Sequence, residues 1–530
     1  MHNVLSHEDP AFDLAPAYRP LGSLLDEYRM RDPDRTALVD VEQDRRISFG
    51  QLAAAVDSIG IQLCDLGISK GSRVILLAED SIEKIVLWLA IWRLAAVVCP
   101  LDLKFIGAAA DATVNAIRPA LVICSEHLEP SALAGKTGAP VVRFGAWTAH
   151  CHARDGMLSF GAQASQDRLH ELAPAAAHDI ASLACTSGTT GSPKIVVYDH
   201  AALWHNGCTS VDLLGLDQHD RMLEFRSLNW YSAQILSLLP FLQTGLTLHL
   251  ARRFSRSRLL DWIDSYRITV SVGVPTVINI LMQEPAAGAA ARLVSLRAIT
   301  CSSAPLSTTQ WTRFEQTYGV QLYNLYGTSE AGWICGNRHG ARKLGTVGRP
   351  VDNIRFRIVD QAGMPCNEGE EGEVVVSGAK LAVGLLQHDG SITPIRGTPL
   401  KTHDLAIADG EGYVRITGRI DDLIIRGGVK ISGQEISEVL LAHPGVLEAV
   451  VVGVPDPIYG AVPVCFIVPK ITGTPDESEL LAHCARQLAR EKVPARAFVV
   501  AQLPQNERGK ILRGTLRSEW WNELRHQAAL

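Results

Sequence analysis

The segment TSGTTGSPK (186–194) combines glycines, hydroxyl side chains and one lysine, all of which can contact phosphate. Backbone N–H groups in a glycine-rich turn form a concavity for anions, hydroxyls add donors, and the lysine adds positive charge. The P-loop of nucleoside triphosphatases has Gly, four residues and then Gly-Lys-Ser/Thr, and this segment does not match it. Gly188 and Gly191 are too close together. Pro193 precedes Lys194, and no Ser or Thr follows the lysine. A surface linker has a similar composition, so the segment alone leaves a phosphate site and a linker open.

Other segments further along the chain carry charged side chains that suit a nucleotide. A carboxylate beside phosphate oxygens is the usual ligand of Mg²⁺, and a carboxylate also accepts both hydrogen bonds of a vicinal diol. An ammonium stabilises the charge that develops when phosphorus is attacked. The segments are YNLYGTSEAG (323–332) with Glu330, KTHDLA (401–406) with Asp404, GRIDDLIIRGGVKISGQEI (418–436) with Arg419, and LPQNERGKILRGTL (503–516) with Lys510.

Taken in this order, the segments resemble the adenylate-forming superfamily, which contains acyl- and aryl-CoA synthetases, non-ribosomal adenylation domains and beetle luciferase. The resemblance covers about residues 30–515, and residues 186–194 match the family's TSGTTGxPK at every fixed position. It implies an acid–thiol ligase, AMP-forming, that uses ATP and Mg²⁺ to make an acyl-adenylate, releases pyrophosphate, and then transfers the acyl group to CoA. A stand-alone enzyme that loads a carrier protein, and a non-catalytic adenylate-binding protein, stay open as alternatives.

The resemblance also implies roles for individual residues. The phosphate loop would close over ATP, SSAPLS (302–307) would contact adenine beside Tyr326, Ser329 would bind the α-phosphate, and Asp404 and Arg419 would hold the ribose. The implied ATP- and CoA-binding residues are Thr186, Ser187, Gly188, Thr189, Thr190, Gly191, Ser303, Ala304, Pro305, Tyr326, Gly327, Ser329, Asp404, Arg419, Gly427 and Gly428. The implied catalytic residues are Lys510, Glu330 and Lys194, with Glu330 also holding magnesium.

Three positions depart from the family pattern. Ile195 follows the lysine where glycine is common, and Ser329 stands where threonine is usual. His403 stands where the family has glycine in Thr-Gly-Asp, which puts the expected turn in question, because glycine tolerates a positive φ and histidine does so only sometimes.

Two half-reactions need different groups beside the same carbonyl carbon, and the family meets this need by rotating the C-terminal domain about a hinge. Asp421 matches the hinge position, and its neighbour Asp422 is expected to form a turn or a salt bridge. After rotation, the hairpin loop with Gly427 and Gly428 would line the tunnel for the pantetheine thiol, because glycines let a thin arm pass close to the backbone. RGGVKIS (426–432), followed by an acid-containing helix, favours CoA as the acceptor.

The resemblance places the acid between the segment 224–240, the strand end VGVPT (272–276), and the SSAPL and YNLYG turns. The expected pocket residues are Trp230, Tyr231, Arg226 and Val274. The two bulky aromatic side chains would narrow the pocket, which favours a small or aromatic acid. The arginine could pair with a second anionic group of the substrate, or it could be a surface or structural arginine, since arginine is mostly exposed.

Strand-like and helix-like runs alternate along most of the chain, which predicts layered α/β sheets, largely parallel, in a large AMP-binding N-terminal domain over residues 1–420. The most apolar run, 85–102, is interrupted by Arg93 and is expected to be a buried helix followed by a strand rather than a membrane span. Residues 421–530 have a β-α-β-β-α order, with the last helix over 476–492. This order predicts a small, mobile α+β lid domain that carries the catalytic lysine.

Composition limits the partners. The net charge is −6 without a basic run, which argues against nucleic acid. The eleven cysteines show no pairing pattern, and the N-terminus lacks the basic and apolar regions of a secretory signal. We therefore expect a cytoplasmic protein with no membrane partner, whose partners are a small carboxylic acid, ATP and CoA, and for which a homo-oligomer stays open.

Overall fold

The structure is a computed structural model that describes residues 17–102, 108–128, 138–147, 157–160, 174–186, 194–283, 288–302, 306–470, 473–505 and 511–522. Its strands are β1 Thr36–Asp40, β2 Arg45–Ser48, β3 Arg73–Leu77, β4 Val97–Pro100, β5 Leu121–Ser125, β6 Val141–Phe144, β7 Met157–Leu158, β8 Ile180–Thr186, β9 Lys194–Asp199, β10 Arg221–Glu224, β11 Thr247–Leu250, β12 Val270–Ser271, β13 Ala298–Cys301, β14 Gln321–Thr328, β15 Gly332–Gly336, β16 Arg349–Pro350, β17 Arg355–Val359, β18 Gly372–Ser377, β19 Gly384–Leu386, β20 Ile392–Pro394, β21 Leu400–Ala408, β22 Val414–Arg419, β23 Ile424–Arg426, β24 Val429–Ile431, β25 Val446–Asp456, β26 Gly460–Pro469 and β27 Arg496–Val499. Its α-helices are α1 Leu21–Arg31, α2 Phe49–Asp65, α3 Ile82–Arg93, α4 Ala108–Ile117, α5 His200–Leu214, α6 Tyr231–Ala233, α7 Leu239–Thr244, α8 Arg256–Ser265, α9 Pro275–Gln283, α10 Ala289–Arg292, α11 Thr308–Tyr318, α12 Gly433–Leu441, α13 Glu477–Ala485 and α14 Arg513–Thr515.

Two nine-stranded sheets make up most of the N-terminal part. Sheet I has the strand order β16-β15-β14-β13-β12-β10-β11-β1-β2, and sheet II has the order β20-β19-β9-β8-β4-β3-β5-β6-β7. In sheet I the neighbouring strands β14, β13, β12, β10, β11 and β1 run parallel. In sheet II the neighbouring strands β8, β4, β3, β5, β6 and β7 run parallel. The prediction of layered, largely parallel α/β sheets is therefore confirmed.

Helix α3 lies in the interior and contacts β1 of sheet I and β4 of sheet II. Every residue from Ile82 to Trp92 is buried, as expected for a helix enclosed by two layers. Its N-terminus is capped by Ser81, whose side chain accepts a hydrogen bond from the backbone N–H of Lys84. The predicted buried helix and following strand over 85–102 are thus confirmed as α3 and β4.

Two antiparallel sheets complete the fold. Sheet III has the order β17-β18-β21-β22, and sheet IV joins β24, β23, β26 and β25 in that order, with β27 also paired to β26. A 3-10 turn, Ile420–Asp422, separates the last strand of sheet III from the first strand of sheet IV. Helices α12 and α13 pack together and shield the core of sheet IV.

The prediction of one helix over 476–492 was wrong, because α13 ends at Ala485 and residues Arg490–Lys492 form a separate 3-10 turn. The helix closes locally, because the N–H groups of Gln487 and Leu488 both donate to the carbonyl of Cys484, at 3.0 and 2.9 Å. Further along, Arg426 Nη1 donates hydrogen bonds to the carbonyl oxygens of Glu491, at 2.6 Å, and Val493, at 3.3 Å. These bonds hold the 3-10 turn next to β23.

Candidate active site

Several predicted site segments meet at one edge of sheet I. The strands β10, β12, β13 and β14 are neighbours in the sheet and run parallel, so their carboxyl ends lie side by side. The described residues that follow or end them include 225–231, 272–276, 302 and 326–330. Ligands of α/β sheets bind beyond the carboxyl ends of the strands, so this edge is the expected place for a site.

Some predicted residues lie outside the described part of the chain. They are Ser187, Gly188, Thr189, Thr190, Gly191, Ser303, Ala304, Pro305 and Lys510. The phosphate loop is framed by the antiparallel strands β8 and β9, whose register pairs Thr186 with Lys194. These two residues therefore fix where the loop leaves and re-enters sheet II.

Lys194 and Glu330 come together although they belong to different sheets. The Lys194 Nζ atom lies 4.0 Å from Glu330 Oε1, and both side chains are partly exposed. Glu330 stands in the turn between β14 and β15, and its backbone carbonyl accepts a hydrogen bond from the N–H of Ala382 at 2.9 Å. A partly exposed carboxylate beside hydroxyl side chains is a hard-oxygen donor set that fits Mg²⁺.

Tyr198 links the phosphate-loop strand to the same turn. Its hydroxyl donates to the backbone carbonyl of Ser329 at 2.7 Å. Its ring stacks on the ring of Tyr231, with centroids 3.9 Å apart and an interplanar angle of 5°. One side chain of β9 thus contacts both the Glu330 turn and the predicted acid pocket.

Asp404, Arg419 and Tyr326 form a second cluster. Asp404 on β21 is paired across the sheet with Arg419 on β22, and Arg419 Nη1 lies 3.4 Å from Asp404 Oδ1. The Tyr326 hydroxyl donates to Asp404 Oδ2 at 2.6 Å. Burial, followed by the adjacent Asp404 charge, raises the pKa of Tyr326 well above its usual value, so this hydroxyl stays protonated as a donor.

Gly327 faces Trp333 across the β14–β15 pair. A Cβ atom added at Gly327 would lie 2.2 Å from the carbonyl oxygen of Gly332, which explains why the turn requires glycine at this position. The close approach of the two strands brings Glu330 back toward sheet II.

His403 adopts the left-handed backbone conformation, with φ of 61°. The position therefore has the conformation that the family's glycine suits, and histidine occupies it at a cost in backbone energy. Its N–H donates to Glu373 Oε1 at 3.2 Å, which helps to hold the strained residue in place.

Replacing His403 with glycine is expected to raise the free energy of unfolding by about 0.5–1 kcal/mol. The left-handed conformation costs roughly 1–2 kcal/mol, of which glycine's extra entropy in the unfolded chain offsets about 0.5–1 kcal/mol. Urea unfolding of the variant measures this. The matched control is His388→Gly. His388 is exposed and is not one of the residues with a positive φ, so glycine at this position should lower the stability. Equal losses for the two variants would contradict the prediction.

The predicted pocket residues lie on the segment after β10 and at the start of α9. Tyr231 is buried, and its hydroxyl accepts a hydrogen bond from Asn206 Nδ2 at 3.1 Å. Trp230 is half-buried and immediately precedes α6, and the half-buried Val274 accepts the first backbone bond of α9 from Val277.

Arg226 is paired within the protein. Its Nε and Nη2 atoms donate to Glu224 at 3.0 and 2.8 Å, and Ser237 also donates to that carboxylate at 2.6 Å. Both charged side chains are buried, so the ion pair is a structural feature of this segment. Within the described residues, Arg226 Nη1 has no hydrogen-bond partner. Binding of a second substrate anion by this residue remains a prediction.

Lys380 was not found by sequence analysis. It is fully buried, and its Nζ donates to the carbonyl oxygen of Trp333 at 2.7 Å and to Thr209 Oγ1 at 3.4 Å. Burial lowers the pKa of Lys380 to about 7. The one signal in the sequence is the run of small and apolar residues around it, SGAKLAVGLL (377–386).

Replacing Lys380 with methionine is expected to stabilise the protein most at pH 7 and below. Between about pH 7 and 10 the unfolded chain holds a proton on Lys380 that the folded protein lacks, so wild-type stability rises with pH by up to about 1.4 kcal/mol per unit. Methionine does not titrate, so the advantage of the variant should shrink as pH rises. Urea unfolding of both proteins at pH 7, 8 and 9 tests this, and a constant difference would contradict it.

The hinge and hairpin segments have the expected turn chemistry. Gly427 and Gly428 have φ of 56° and 89° in the two-residue loop that joins β23 and β24, as a type I′ turn requires. Asp421 is exposed in the 3-10 turn. Asp422 forms ion pairs with Arg517 at 2.8 Å and Arg513 at 3.7 Å, as predicted for a salt-bridge residue.

The pairing of Lys194 with Glu330, the Asp404–Arg419–Tyr326 cluster and the small α+β unit that follows them are the features of an adenylate-forming enzyme. The AMP-binding enzyme family model matches residues 25–386, and the model of the AMP-binding enzyme C-terminal domain matches residues 435–510. The chain belongs to the AMP-binding enzyme family.

Individual relatives are similar over nearly the whole chain. Sulfoacetate–CoA ligase of Cupriavidus necator is 30% identical over 504 residues, which cover 91% of this chain and 94% of that protein. The crystal structure of the anthranilate CoA ligase AuaEII with anthranoyl-AMP has a TM-score of 0.84 at 26% identity, covering 95% of this chain and 97% of that one. ATP-bound MatB from Rhodopseudomonas palustris has a TM-score of 0.82 at 26% identity, covering 95% and 99%. These matches confirm the predicted resemblance and fold class.

Within the described residues, none of the helices has the length and apolar character needed to span a bilayer. The same part of the chain contains no cluster of three or more His, Cys, Asp or Glu residues that could hold a metal ion.

Proposed function

We propose that the protein is an AMP-forming ligase that joins a small or aromatic carboxylic acid to CoA. The observation that carries the proposal is the convergence of Lys194 from sheet II on Glu330 from sheet I, at 4.0 Å. A lysine and a carboxylate placed this way suit the phosphates of ATP and their metal ion. The similarity to two CoA ligases over nearly the full chain supports CoA as the acceptor.

In the first half-reaction the carboxylate of the acid would attack the α-phosphorus of ATP, and pyrophosphate would leave. Lys194 would neutralise charge on the departing phosphates, while Ser329 would donate to the α-phosphate. Asp404 and Arg419 would hold the ribose, so that the α-phosphorus faces the acid. When bound at Glu330, Mg²⁺ would neutralise charge on the phosphate oxygens.

The acid would lie against Tyr231, next to the half-buried Trp230. Tyr231 is held on one side by the stacked ring of Tyr198 and by the amide of Asn206 at its hydroxyl. The Tyr231 side chain cannot move aside for a bulky substrate without breaking those contacts, which favours a compact acid. Sulfoacetate and anthranilate, named for two of the relatives, are both compact. Arg226 Nη1 is the candidate donor for a second acidic group on the substrate.

In the second half-reaction the domain after residue 420 would rotate about Asp421 and bring the Gly427–Gly428 turn to the reacting carbonyl. The turn is short, lacks side chains and lies at the tip of a hairpin, so a pantetheine arm could pass close to its backbone. Residues 421–530 would thus act as a lid that presents Lys510 in the first step and the hairpin in the second.

Two assays test the proposal in sequence. Acid-dependent exchange of labelled pyrophosphate into ATP is expected with at least one member of a panel of compact aliphatic and aromatic acids, and its absence with every acid would favour a non-catalytic binding protein. The active acid is then supplied with CoA or with a carrier protein. Release of AMP with acyl-CoA formation supports the proposed ligase, whereas acylation of the carrier protein alone would overturn it.

A further inference from the structure

Besides the Tyr198 hydroxyl bond to Ser329, three further hydrogen bonds from outside the β14–β15 hairpin hold backbone groups of the turn that carries Glu330 and of Trp333. The N–H of Ala382 donates to the carbonyl of Glu330 at 2.9 Å. The N–H of Trp333 donates to Asn206 Oδ1 at 3.0 Å, and the carbonyl of Trp333 accepts from Lys380 Nζ at 2.7 Å. Both backbone groups of Trp333, three residues after Glu330, are therefore fixed by buried side chains.

Asn206 and Lys380 are joined to each other as well. Asn206 Nδ2 donates to the backbone carbonyl of Lys380 at 3.1 Å. The space around this amide is full, because a Cβ atom added at Gly332 would lie 2.1 Å from Asn206 Oδ1. The turn, helix α5 and the segment after β18 thus meet in one tightly packed, hydrogen-bonded cluster, in which a shift of one member moves the others.

Burying a lysine side chain in this closely packed cluster is energetically unfavourable. Burying an amine costs free energy unless it is paired, and methionine would fill the same space without that cost. The other fully buried lysine in the described chain, Lys84, has an aspartate partner, because its Nζ lies 2.6 Å from Asp80 Oδ1. The hydrogen bonds found for Lys380 in the described structure go to the Trp333 carbonyl and the Thr209 hydroxyl instead.

We propose that Lys380 is a positioning residue for nucleotide binding, which fixes the β14–β15 turn so that the Glu330 carboxylate faces Lys194 and the metal ion of the nucleotide. The role rests on the proposed function, since it presumes that Glu330 binds Mg²⁺ together with ATP. Residues that orient a metal ligand from behind typically change metal affinity by 10- to 100-fold when they are replaced.

The test is the Mg²⁺ dependence of ATP binding, measured by titration calorimetry without acid or CoA. The Lys380→Met variant is expected to need about 10-fold more Mg²⁺ for half-maximal ATP affinity, with a melting temperature equal to or above that of the wild type. The matched control is Thr209→Val, which removes the weaker contact of the same amine and should leave the Mg²⁺ dependence unchanged. If the methionine variant does not fold, Lys380→Gln, which keeps a shorter donor, replaces it with a smaller expected shift.

The outcomes separate the two proposals. A wild-type protein that binds no ATP at any Mg²⁺ concentration would overturn the proposed function and this role with it. ATP binding by the wild type and an identical Mg²⁺ dependence in the Lys380 variant would overturn the role alone. A uniform loss of ATP affinity at every Mg²⁺ concentration, together with a lower melting temperature, would identify a merely structural lysine and would also overturn it.

Discussion

Replacing Lys510 with alanine is expected to slow acyl-adenylate formation by about 100- to 1,000-fold, the usual effect of removing one group that stabilises transition-state charge. When the carboxylate attacks the α-phosphorus, two anions must approach each other, and negative charge passes from the carboxylate to the phosphate oxygens and the departing pyrophosphate. An ammonium between them would neutralise that charge in a site that excludes water. Labelled pyrophosphate exchange measures this half-reaction directly.

The residues that follow position 510 contact the expected hinge. Ile511 forms an isolated bridge with Gln505. The guanidinium of Arg513 is paired with Asp422, next to Asp421. Burial lowers the pKa of Arg513, and the Asp422 carboxylate partly offsets this effect.

The same variant separates the two half-reactions. Supplied with synthetic acyl-adenylate and CoA, Lys510→Ala should form the thioester at close to the wild-type rate, because the lid would turn Lys510 away for this step. The control is Lys470→Ala, a lysine of the same domain whose Nζ donates to the Pro444 carbonyl at the surface. Equal rates of pyrophosphate exchange in the two variants would disprove the role of Lys510.

Much of the fold could be predicted because local signals agree with it. The apolar run over 85–102 has the length and the interruption of a buried helix and strand, and it forms α3 and β4. The predicted segments meet because the carboxyl ends of neighbouring parallel strands share an edge, which follows from topology once the order of strands is known. The strand order itself depends on contacts between distant residues, which the sequence of one chain does not reveal.

Side-chain partners were harder to predict than elements. Arg226 was expected either to contact the substrate or to be structural, and it pairs with Glu224, which is the last residue of β10. Almost no sequence signal indicated that Lys380 is buried, because lysine is mostly exposed and the partners of Lys380 lie on α5 and β15, far away in sequence. Burial of a charged group is decided by tertiary packing, and periodicity carries no information about it.

The second large effect is expected at Asp404. Replacing it with alanine should raise the KM for ATP by at least about 100-fold, because two ribose hydroxyls would each lose a hydrogen bond to a charged group, and each such bond is worth about 1.5–3 kcal/mol. The Tyr326 hydroxyl at Oδ2 and the Arg419 guanidinium near Oδ1 flank this carboxylate and orient it. Steady-state kinetics with saturating acid and CoA measure the effect.

Discrimination between ATP and 2′-deoxy-ATP shows whether the loss arises at the ribose. The wild type should prefer ATP, because the deoxy sugar leaves one carboxylate oxygen without its donor. Asp404→Ala should accept both nucleotides equally poorly. Tyr326→Phe is the matched control, since it removes the neighbouring hydroxyl but keeps the carboxylate, and it should retain the preference. An alanine variant that still favours ATP over the deoxy nucleotide would show that Asp404 holds Tyr326 and Arg419 in place without contacting the sugar.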